Sequence, residues 1–424
     1  MKQKKILLVL TEFPPSIGGM QTHALYLSNF LAEQNYDIEV VTYRIGAGEK
    51  ESIQKVDSQL NFPVHRILSR LGFWYSIKIL KDLIAEVKPE LVYCSNVFYG
   101  VLKYEIDIPI VCRSVGNDIL RPWIAYPFRY ASHWLANPLF EYKAYKYFKK
   151  LKTPTVIEAI LRKQRFDLAY HSARSMNFII ANSHFTAQLL QEVGVKSEQI
   201  HVVVGGVDTH RFTHQKHLNK EALRQEYSIP EDAFVILTVC RSVPKKGVEF
   251  LLQAFKEITH QIDNAHLVIV GNGRYNRRYK KLASSLKIRE NVTFTGWIDH
   301  LKVHQFYKLS DLFVLASYVT FNPITGIRDA ETMGRVLCEA NAAGLPVLAS
   351  RSGGIPSVIE HEKNGLLFEP EDMQDFLQQF KILYQSEILR NSLVENGLEI
   401  AQKEFDWTVV MEKHIQIFNA VLGS

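Results

Sequence analysis

Arg241 and Lys246 form a basic pair in the segment RSVPKKG, just after a strongly apolar run. An arginine presents a planar fork to phosphate oxygens, and a lysine adds a point charge. Ligands of open α/β sheets bind beyond the carboxyl ends of strands, where this pair would stand. The two side chains could therefore hold a pyrophosphate and stabilise it as a leaving group. On its own, the R-x4-K-G spacing is more typical of an exposed basic turn.

Glu331 and Glu339 belong to the segment ETMGRVLCEANAAGLPV, with Gly334 between them. The pattern predicts a helix that starts near Gly334 and ends at Gly344. Gly334 would let a ligand approach the main chain closely. Glu339 could then accept hydrogen bonds from ribose hydroxyls, and Glu331 could reach the hydroxyls of a sugar. Two glutamates on a helix are more often a solvated face, but the small residues around this pair argue against that interpretation.

Gly18 and Gly19 lie between an apolar run at the start of the chain and a helical pattern. A glycine-rich turn at a helix N-terminus is a ready anion site, because backbone N–H groups and the helix dipole favour negative charge. The turn lacks the G-x-G-x-x-G spacing, so it does not indicate a nicotinamide dinucleotide. A tight turn without a ligand remains an equal alternative.

The elements that must position these residues are short apolar runs alternating with helical patterns. Continuous hydrophobicity indicates strands covered on both faces, and alternation with helices indicates parallel β-α-β units. The series runs twice, which predicts two doubly wound domains. The runs are Lys5–Leu10, Ile38–Tyr43, Leu91–Cys94, Ile108–Arg113, Phe178–Asn182 and His201–Val204, then Phe234–Val239, His266–Val270, Val292–Thr295, Leu312–Ala316, Pro346–Ala349 and Leu366–Phe368.

The predicted linker is the polar stretch Asp208–Asp232, which contains a helical piece at Lys220–Tyr227. The boundaries expected from the sequence are 1–208 for the first domain and 209–404 for the second. A last helix is predicted near Trp407–Leu422 from apolar residues at helical spacing.

Composition excludes several classes of protein. The chain has 424 residues, 47% of them hydrophobic, so it can build the cores of two ordinary domains. Its four cysteines are scattered, which fits neither a disulfide scaffold nor a metal site. The apolar stretch Ile6–Leu10 is too short for a signal peptide, and no window reaches the roughly 20 apolar residues of a membrane span. We expect a cytoplasmic protein, soluble or peripheral to a membrane.

The net charge of +6 is unevenly distributed. Residues 120–165 hold ten Lys or Arg against two acids, together with many aromatic residues. A helix with aromatic and lysine-rich faces can lie in an anionic membrane interface, here the inner face of the membrane. The alternative is a helix that packs on the sheet with its basic face in solvent. No recognised nucleic-acid-binding module is present, so nucleic acid is not an expected partner.

The segment ETMGRVLCEANAAGLPV resembles the E-x7-E signature of family 4 of the glycosyltransferases, whose members have the GT-B fold. Further pieces that resemble this family stand along the chain in the order that the family has: GGMQTHALYLSNFL, ANSHFTAQLL, GGVDTHRF, RSVPKKGVEFLLQAF, LVIVGNGRY, VTFTGWI, GGIP and NGLLF. The resemblance implies two Rossmann-like parallel-sheet domains that face each other across a cleft. It also implies that the closing helix, 405–424, packs back on the first domain.

The same resemblance implies roles for the candidate residues. Arg241 and Lys246 would bind the diphosphate of a nucleotide sugar, Glu339 the ribose, and Glu331 the transferred sugar. Gly18 and Gly19 would lie against the donor from the opposite domain. Further donor contacts are expected at Asn272, Gly273, Gly334 and Val336.

One position departs from the family pattern. Many relatives carry a histidine before a Gly-x-Asp sequence, and here Val115 precedes Gly116-Asn117-Asp118. We expect Asp118 to contribute to catalysis, with Asn117 or Arg113 as alternatives for the missing polar contact. His23 and His133 are further candidates, although a lone histidine is more often structural.

The resemblance implies a retaining transfer of a hexose by front-face attack, with the protein supplying position and charge. The expected donor is a UDP- or GDP-sugar, and the expected acceptor is a glycan or lipid-linked hydroxyl of polysaccharide or glycolipid biosynthesis. The stretch FNPITGIRDAE is similar to the phosphatidylinositol-mannosyltransferase type.

No D-x-D motif is present, so we expect no essential metal and no cofactor. A nucleotide-sugar epimerase, a glycogen or starch synthase-like polymerase and a non-catalytic nucleotide-sugar-binding protein remain as alternatives. The sequence leaves the sugar, the base, the acceptor and the oligomeric state open.

Overall fold

The computed structural model of the chain describes residues 3–15, 18–44, 50–70, 72–121, 155–213, 219–322 and 327–423. Within it the chain forms two compact units, each built on a parallel sheet. The first unit contains Met1–Val203 and Met411–Ser424, and the second contains Val204–Val410. The boundaries expected from the sequence, at 208/209 and 404/405, differ from these by a few residues.

The described residues of the first unit form seven strands, all parallel, in the order β3-β2-β1-β4-β5-β6-β7. Their bounds are Lys5–Val9 (β1), Asp37–Tyr43 (β2), Val64–Leu68 (β3), Leu91–Cys94 (β4), Ile110–Ser114 (β5), Phe178–Ala181 (β6) and Ile200–Val202 (β7). The described helices of this unit are Gly19–Glu33 (α1), Lys50–Asp57 (α2), Phe73–Val87 (α3), Asn117–Leu120 (α4), Thr155–Arg174 (α5) and His184–Glu192 (α6). The strand order reverses direction between β1 and β4, which makes their loops a topological switch point.

The second unit repeats this plan with six parallel strands in the order β10-β9-β8-β11-β14-β15. These are Phe234–Val239 (β8), Ala265–Val270 (β9), Val292–Gly296 (β10), Leu312–Leu315 (β11), Val347–Ser350 (β14) and Leu366–Phe368 (β15). A separate antiparallel ribbon joins Thr320–Asn322 (β12) to Ile327–Asp329 (β13). The switch point of this sheet lies between β8 and β11.

The helices of the second unit are Thr209–Thr213 (α7), Lys220–Glu226 (α8), Val248–Thr259 (α9), Asn276–Ser285 (α10), His300–Leu309 (α11), Arg335–Ala342 (α12), Met373–Gln385 (α13) and Glu387–Ile400 (α14). The last helix, Trp407–Leu422 (α15), begins in the second unit and ends in the first. Two hydrophobic clusters cover the two faces of the second sheet: Val235 and Leu237 belong to one, and Ile236 to the other. Burial on both faces explains why these strands read as continuous apolar runs.

The GGVDTHRF segment opens the second unit, and close packing explains its glycines. The backbone N–H groups of Gly206 and Val207 donate to the carbonyl oxygen of Phe405, at 2.8 and 3.0 Å. A Cβ on Gly206 would stand 2.5 Å from the indole ring of Trp407, so no larger residue fits. The two ends of the second unit are therefore tied together beside the start of α15.

Candidate active site

The loop between β8 and α9 carries Arg241 and Lys246, and it lies against the end of β11. Gly247 closes this loop with φ of +65°, and a Cβ there would stand 1.8 Å from the carbonyl oxygen of Ala316. Only glycine permits this approach, both for its conformation and for its size. The glycine thus brings the basic loop to the switch point between β8 and β11.

Lys246 and Glu331 form an ion pair at this switch point. The lysine Nζ contacts Glu331 Oε2, and the two side chains are only 11% and 14% exposed. Burial by itself would raise the pKa of Glu331, but the charge and hydrogen bond of Lys246 outweigh it, with help from Lys245 and Arg241, and the pKa is lowered. The carboxylate is therefore ionised at neutral pH and opposes several cations. Arg241 itself is exposed, as a group that meets a ligand from solvent would be.

The GGIP segment supports the backbone of Glu331. The N–H of Gly354 donates to the carbonyl oxygen of Glu331 at 2.7 Å. A Cβ on Gly353 would stand 2.2 Å from that same oxygen, and one on Gly354 would stand 1.9 Å from the carbonyl oxygen of Thr332. The two glycines therefore let the loop after β14 press directly on the segment that holds Glu331.

Helix α12 carries Val336 and Glu339, and Gly334 stands directly before it. Gly334 precedes the helix with φ of +87°, where the left-handed conformation favours glycine. Glu339 is only 5% exposed: the hydroxyl of Tyr307 donates to its Oε2 at 2.8 Å, and Arg335 Nε lies 3.5 Å from its Oε1. Because a carboxylate has about four acceptor positions, Glu339 keeps capacity for further hydroxyl donors.

Tyr307 fixes the orientation of the Glu339 carboxylate. Burial raises the pKa of this phenol well above its usual value, and the charge of Glu339 adds to the effect. The hydroxyl therefore stays protonated and acts as a donor. The sequence analysis missed Tyr307, because a tyrosine in an amphipathic helix gives no sign of which carboxylate it reaches.

Asn272 and Gly273 belong to the loop after β9, which packs against the basic loop. The N–H of Ser242 donates to the carbonyl oxygen of Asn272 at 3.1 Å, and a Cβ on Gly273 would stand 2.7 Å from the carbonyl oxygen of Ser242. Both residues are exposed. Arg241, Lys246, Asn272 and Gly273 thus lie on loops at the carboxyl edge of the second sheet.

In the first unit, Gly18 and Gly19 lie at the start of α1. The first turn of this helix contains no acidic residue, so its N-terminal dipole is not neutralised there. Before it, Glu12 accepts a hydrogen bond from Gln21 Nε2 at 2.7 Å, and Arg66 Nη2 donates to the carbonyl oxygen of Pro14 at 2.7 Å. The side chains of Gln21 and Arg66 therefore hold the described part of the turn before α1.

Asp118 is buried and connects two loops of the first unit. Its Oδ1 accepts from Ser114 Oγ at 2.7 Å, and its Oδ2 accepts from the N–H of Val97 at 3.1 Å. Burial raises its pKa, and these hydrogen bonds and the charge of Arg113 oppose the rise. Asp118 holds the loop after β5 to the 3-10 helix Val97–Tyr104 that follows β4. Of its neighbours, Val115 is half-buried and Asn117 is exposed.

His23 lies on α1 and is buried beside His414 of α15, with their Nε2 atoms 3.3 Å apart. A small cavity in the first unit is lined by His23, Arg113, Glu12 and Met20, together with Leu10, Ala24, Tyr93 and Ser95. Two of the residues named from sequence as substitutes for the missing histidine therefore border one cavity. His133, another of those candidates, lies outside the described residues, as do all of residues 122–154 of the basic aromatic segment.

Among the residues that the structure describes, no helix has the length and hydrophobicity to cross a bilayer. Within the same residues, no three His, Cys, Asp or Glu side chains cluster as metal ligands would. The four cysteines are buried free thiols. Arg241, Lys245 and Lys246 all belong to the loop between β8 and α9.

Two family models match the chain. The model described as "Glycosyltransferase Family 4" matches residues 17–211, and the model described as "Glycosyl transferases group 1" matches residues 219–399. The first match covers most of the first unit and the opening residues of the second, and the second match lies within the second unit.

Curated relatives include mannosyltransferases. The GDP-mannose-dependent monoacylated alpha-(1-6)-phosphatidylinositol monomannoside mannosyltransferase of Corynebacterium glutamicum is 25% identical, over 98% of each chain. The GDP-mannose-dependent alpha-(1-6)-phosphatidylinositol monomannoside mannosyltransferase of Mycobacterium tuberculosis is 38% identical, over 39% of this chain and 41% of the relative. The sulfoquinovosyl transferase SQD2 of Arabidopsis thaliana is 24% identical, over 97% of this chain and 72% of its own.

Solved structures share the fold. A glycosyltransferase from Rickettsia africae superimposes with a TM-score of 0.71 at 17% identity, covering 100% of this chain and 99% of the other. HepE of Anabaena, solved with UDP and glucose, gives a TM-score of 0.70 at 20% identity, covering 98% of this chain and 100% of the other. At these identities the likeness establishes the architecture.

Proposed function

The chain belongs to family 4 of the glycosyltransferases, and from this premise we propose that it transfers a hexose from a UDP- or GDP-sugar with retention of the anomeric configuration. It is a glycosyltransferase with the GT-B fold, built from two Rossmann-like parallel-sheet units. The proposal concerns the stereochemistry, the donor sugar, the acceptor and the residues that act.

The ion pair between Lys246 and Glu331 is the observation that carries the proposal. In the absence of a ligand, Lys246 already has a charged partner, the largely buried carboxylate of Glu331. A donor diphosphate brings more negative charge to Lys246 than Glu331 does, so it competes for the amine. Once released, the Glu331 carboxylate can accept hydrogen bonds from the hydroxyls of the transferred sugar.

In the proposed reaction the bond between the sugar C1 and the diphosphate oxygen breaks, while the acceptor hydroxyl attacks C1 from the same face. The leaving diphosphate oxygen takes the proton of that hydroxyl. Arg241 and Lys246 stabilise the charge that develops on the diphosphate, as fixed charges placed before the reaction do. Glu339 holds the ribose, and Asn272, Gly273, Gly334 and Val336 line the donor. No protein nucleophile, metal or cofactor is part of the proposal.

In the first unit, Gly18 and Gly19 at the start of α1 are proposed as an additional anion-binding element. Asp118 is proposed to act by holding the loops after β4 and β5, because both of its carboxylate oxygens accept hydrogen bonds from that unit. Arg113 and His23 border the cavity there and are the proposed polar contacts in place of the family histidine.

The acceptor is proposed to be a lipid-linked or membrane-proximal hydroxyl. Support comes from two relatives, each of which is named as a phosphatidylinositol monomannoside mannosyltransferase. The basic aromatic segment 120–165 supplies a second argument, since lysines near anionic lipid each contribute about 1 kcal/mol. We propose that this segment attaches the protein to the cytoplasmic face of a membrane.

Nucleotide release from a panel of UDP-, GDP- and ADP-sugars tests the donor. We expect slow release from one donor by the unaltered protein and loss of that release in Glu331→Gln. Glu395→Gln is the matched control, because Glu395 is exposed on α14. Isomerised donor without transfer would instead indicate an epimerase, and tight binding without turnover for any acceptor would indicate a binding protein.

Co-sedimentation with vesicles tests the membrane attachment. We expect binding to vesicles rich in phosphatidylglycerol and little binding to phosphatidylcholine alone. Replacing Lys143, Lys146, Lys149 and Lys150 with glutamine should weaken binding at least about a hundredfold. Absence of binding to anionic vesicles at low salt would refute the attachment.

A further inference from the structure

Lys245 is a buried lysine directly before Lys246, and its side chain takes a different course. Its Nζ lies 2.8 Å from the carbonyl oxygen of Ala330 and 2.8 Å from Asp329 Oδ1. The lysine side chain is 8% exposed and that of Asp329 is 19% exposed. A buried ammonium is costly without partners, so this geometry is strongly constrained.

The same residue also holds the other end of the ribbon β12–β13. The N–H of Tyr318 donates to the carbonyl oxygen of Lys245 at 2.9 Å. Tyr318 stands just before β12, and Asp329 and Ala330 stand at and just after the end of β13. Lys245 therefore attaches both ends of this ribbon to the loop that carries Arg241 and Lys246. Its side chain holds the end at Asp329 and Ala330, and its main-chain carbonyl holds the end at Tyr318.

Glu331 is the next residue after Ala330, so the position of its backbone depends on this attachment. Lys246 contacts the Glu331 side chain, whereas Lys245 contacts the main chain immediately before it. If a donor diphosphate draws Lys246 away from Glu331, the ion pair no longer restrains the glutamate. The contacts of Lys245 do not involve Glu331 and can persist through that exchange.

We propose that Lys245, paired with Asp329, is a positioning residue that keeps Glu331 in place while Lys246 moves from the carboxylate to the donor diphosphate. This inference rests on the proposed function for the role of Glu331, but the attachment of the ribbon can be measured without any donor. Lys245 acts through Glu331 and does not touch the donor.

Hydrogen–deuterium exchange of the full-length protein tests the attachment. In Lys245→Met, and in Asp329→Asn as a milder second variant, exchange in the segment 318–332 should accelerate about tenfold or more, because the end of the ribbon at Asp329 and Ala330 loses its attachment to the Lys245 side chain. Lys308→Met is the matched control, since Lys308 Nζ also donates to a backbone carbonyl, that of Ala343, at 3.0 Å. Unchanged exchange in both test variants would overturn the proposal.

Kinetics with the donor found in the panel tests the consequence. Lys245→Met should lower kcat about tenfold or more, while the Kd of the nucleoside diphosphate stays within about threefold, and Lys245→Arg should recover most of the rate. An equal loss in nucleotide affinity would make Lys245 a donor ligand and overturn the proposal. If the unaltered protein transfers no hexose while the exchange effect is present, the proposed function fails and the attachment stands.

Discussion

Lys246 and Glu331 are 85 positions apart in the chain and meet as a largely buried ion pair where β8 and β11 lie side by side. The pair joins a basic loop to an acidic segment, and each residue comes from a motif visible in the sequence. Because the pair is largely buried, removing either charge would leave the other as an unpaired buried charge, which destabilises the folded protein.

The first prediction concerns Lys246. Replacing it with methionine should reduce hexosyl transfer about 10²- to 10³-fold, because a charge that stabilises the leaving diphosphate is lost. Lys363→Met is the control, since Lys363 forms an exposed ion pair with Glu360 and should leave turnover unchanged. Steady-state kinetics on both variants decides, and equal activity of the two would remove Lys246 from the mechanism.

The second prediction concerns the fit of Gly247 against β11. Gly247→Ala should destabilise the protein by about 3 kcal/mol or more, because strain at positive φ is joined by a collision with the backbone. Gly296→Ala shares a positive φ, +74°, but its Cβ would have nothing within 4 Å, so it should cost only about 1–2 kcal/mol. Urea unfolding of the two variants measures the difference. Equal losses would show that the contact with Ala316 relaxes freely.

The third prediction concerns the hydroxyl of Tyr307. Tyr307→Phe removes the donor to Glu339, and it should lower the free energy of unfolding by about 1–3 kcal/mol and weaken nucleotide binding. Tyr36→Phe is the control, because that hydroxyl donates to Asn419 in the first unit at 3.0 Å. Calorimetric titration with UDP and GDP reads out the binding. Unaltered affinity in Tyr307→Phe would argue against Glu339 as the ribose ligand.

The fourth prediction is a pH dependence from His266. Burial, with a smaller effect from the charge of Arg224, lowers the pKa of His266 from 6.5 to about 4. Between these values the unfolded chain binds more protons than the folded chain, so the free energy of unfolding falls as pH drops. His266→Gln should show a smaller fall between about pH 7 and pH 5 in urea unfolding. Parallel curves for the two proteins would contradict this account.

The sequence predicted the parallel strands well where they are buried on both faces. All twelve apolar runs overlap a strand of the structure, and α15 has the predicted bounds. The missed strand β3 is an edge strand, mostly half-buried, and its sequence VHRIL gives no continuous apolar run. The missed ribbon β12–β13 has two strands of three residues each, with Phe321 exposed, so its pairing leaves no hydrophobic pattern.

The site was predictable to the level of residue types and loops. Gly247, Gly334 and the GGIP segment stood in the sequence as glycines. The structure supplies the backbone contacts that need Gly247, Gly353 and Gly354, and the positive φ that favours Gly334. The sequence singled out Lys246, but the burial of Lys245 and its contacts with Asp329 and Ala330 could not be read from two adjacent lysines. The partners of Glu339 and Asp118 depend on packing between helices and loops far apart in the chain, which no local pattern encodes.

The anomeric configuration of the product distinguishes a retaining from an inverting transferase. The protein would be incubated with the α-linked UDP- or GDP-hexose that it accepts and a lipid-linked acceptor, and the anomeric configuration of the new glycosidic linkage would be read by proton NMR. The account predicts an α-linkage, with transfer lost in Glu331→Gln. A β-linked product, or transfer that survives this substitution unchanged, would contradict it.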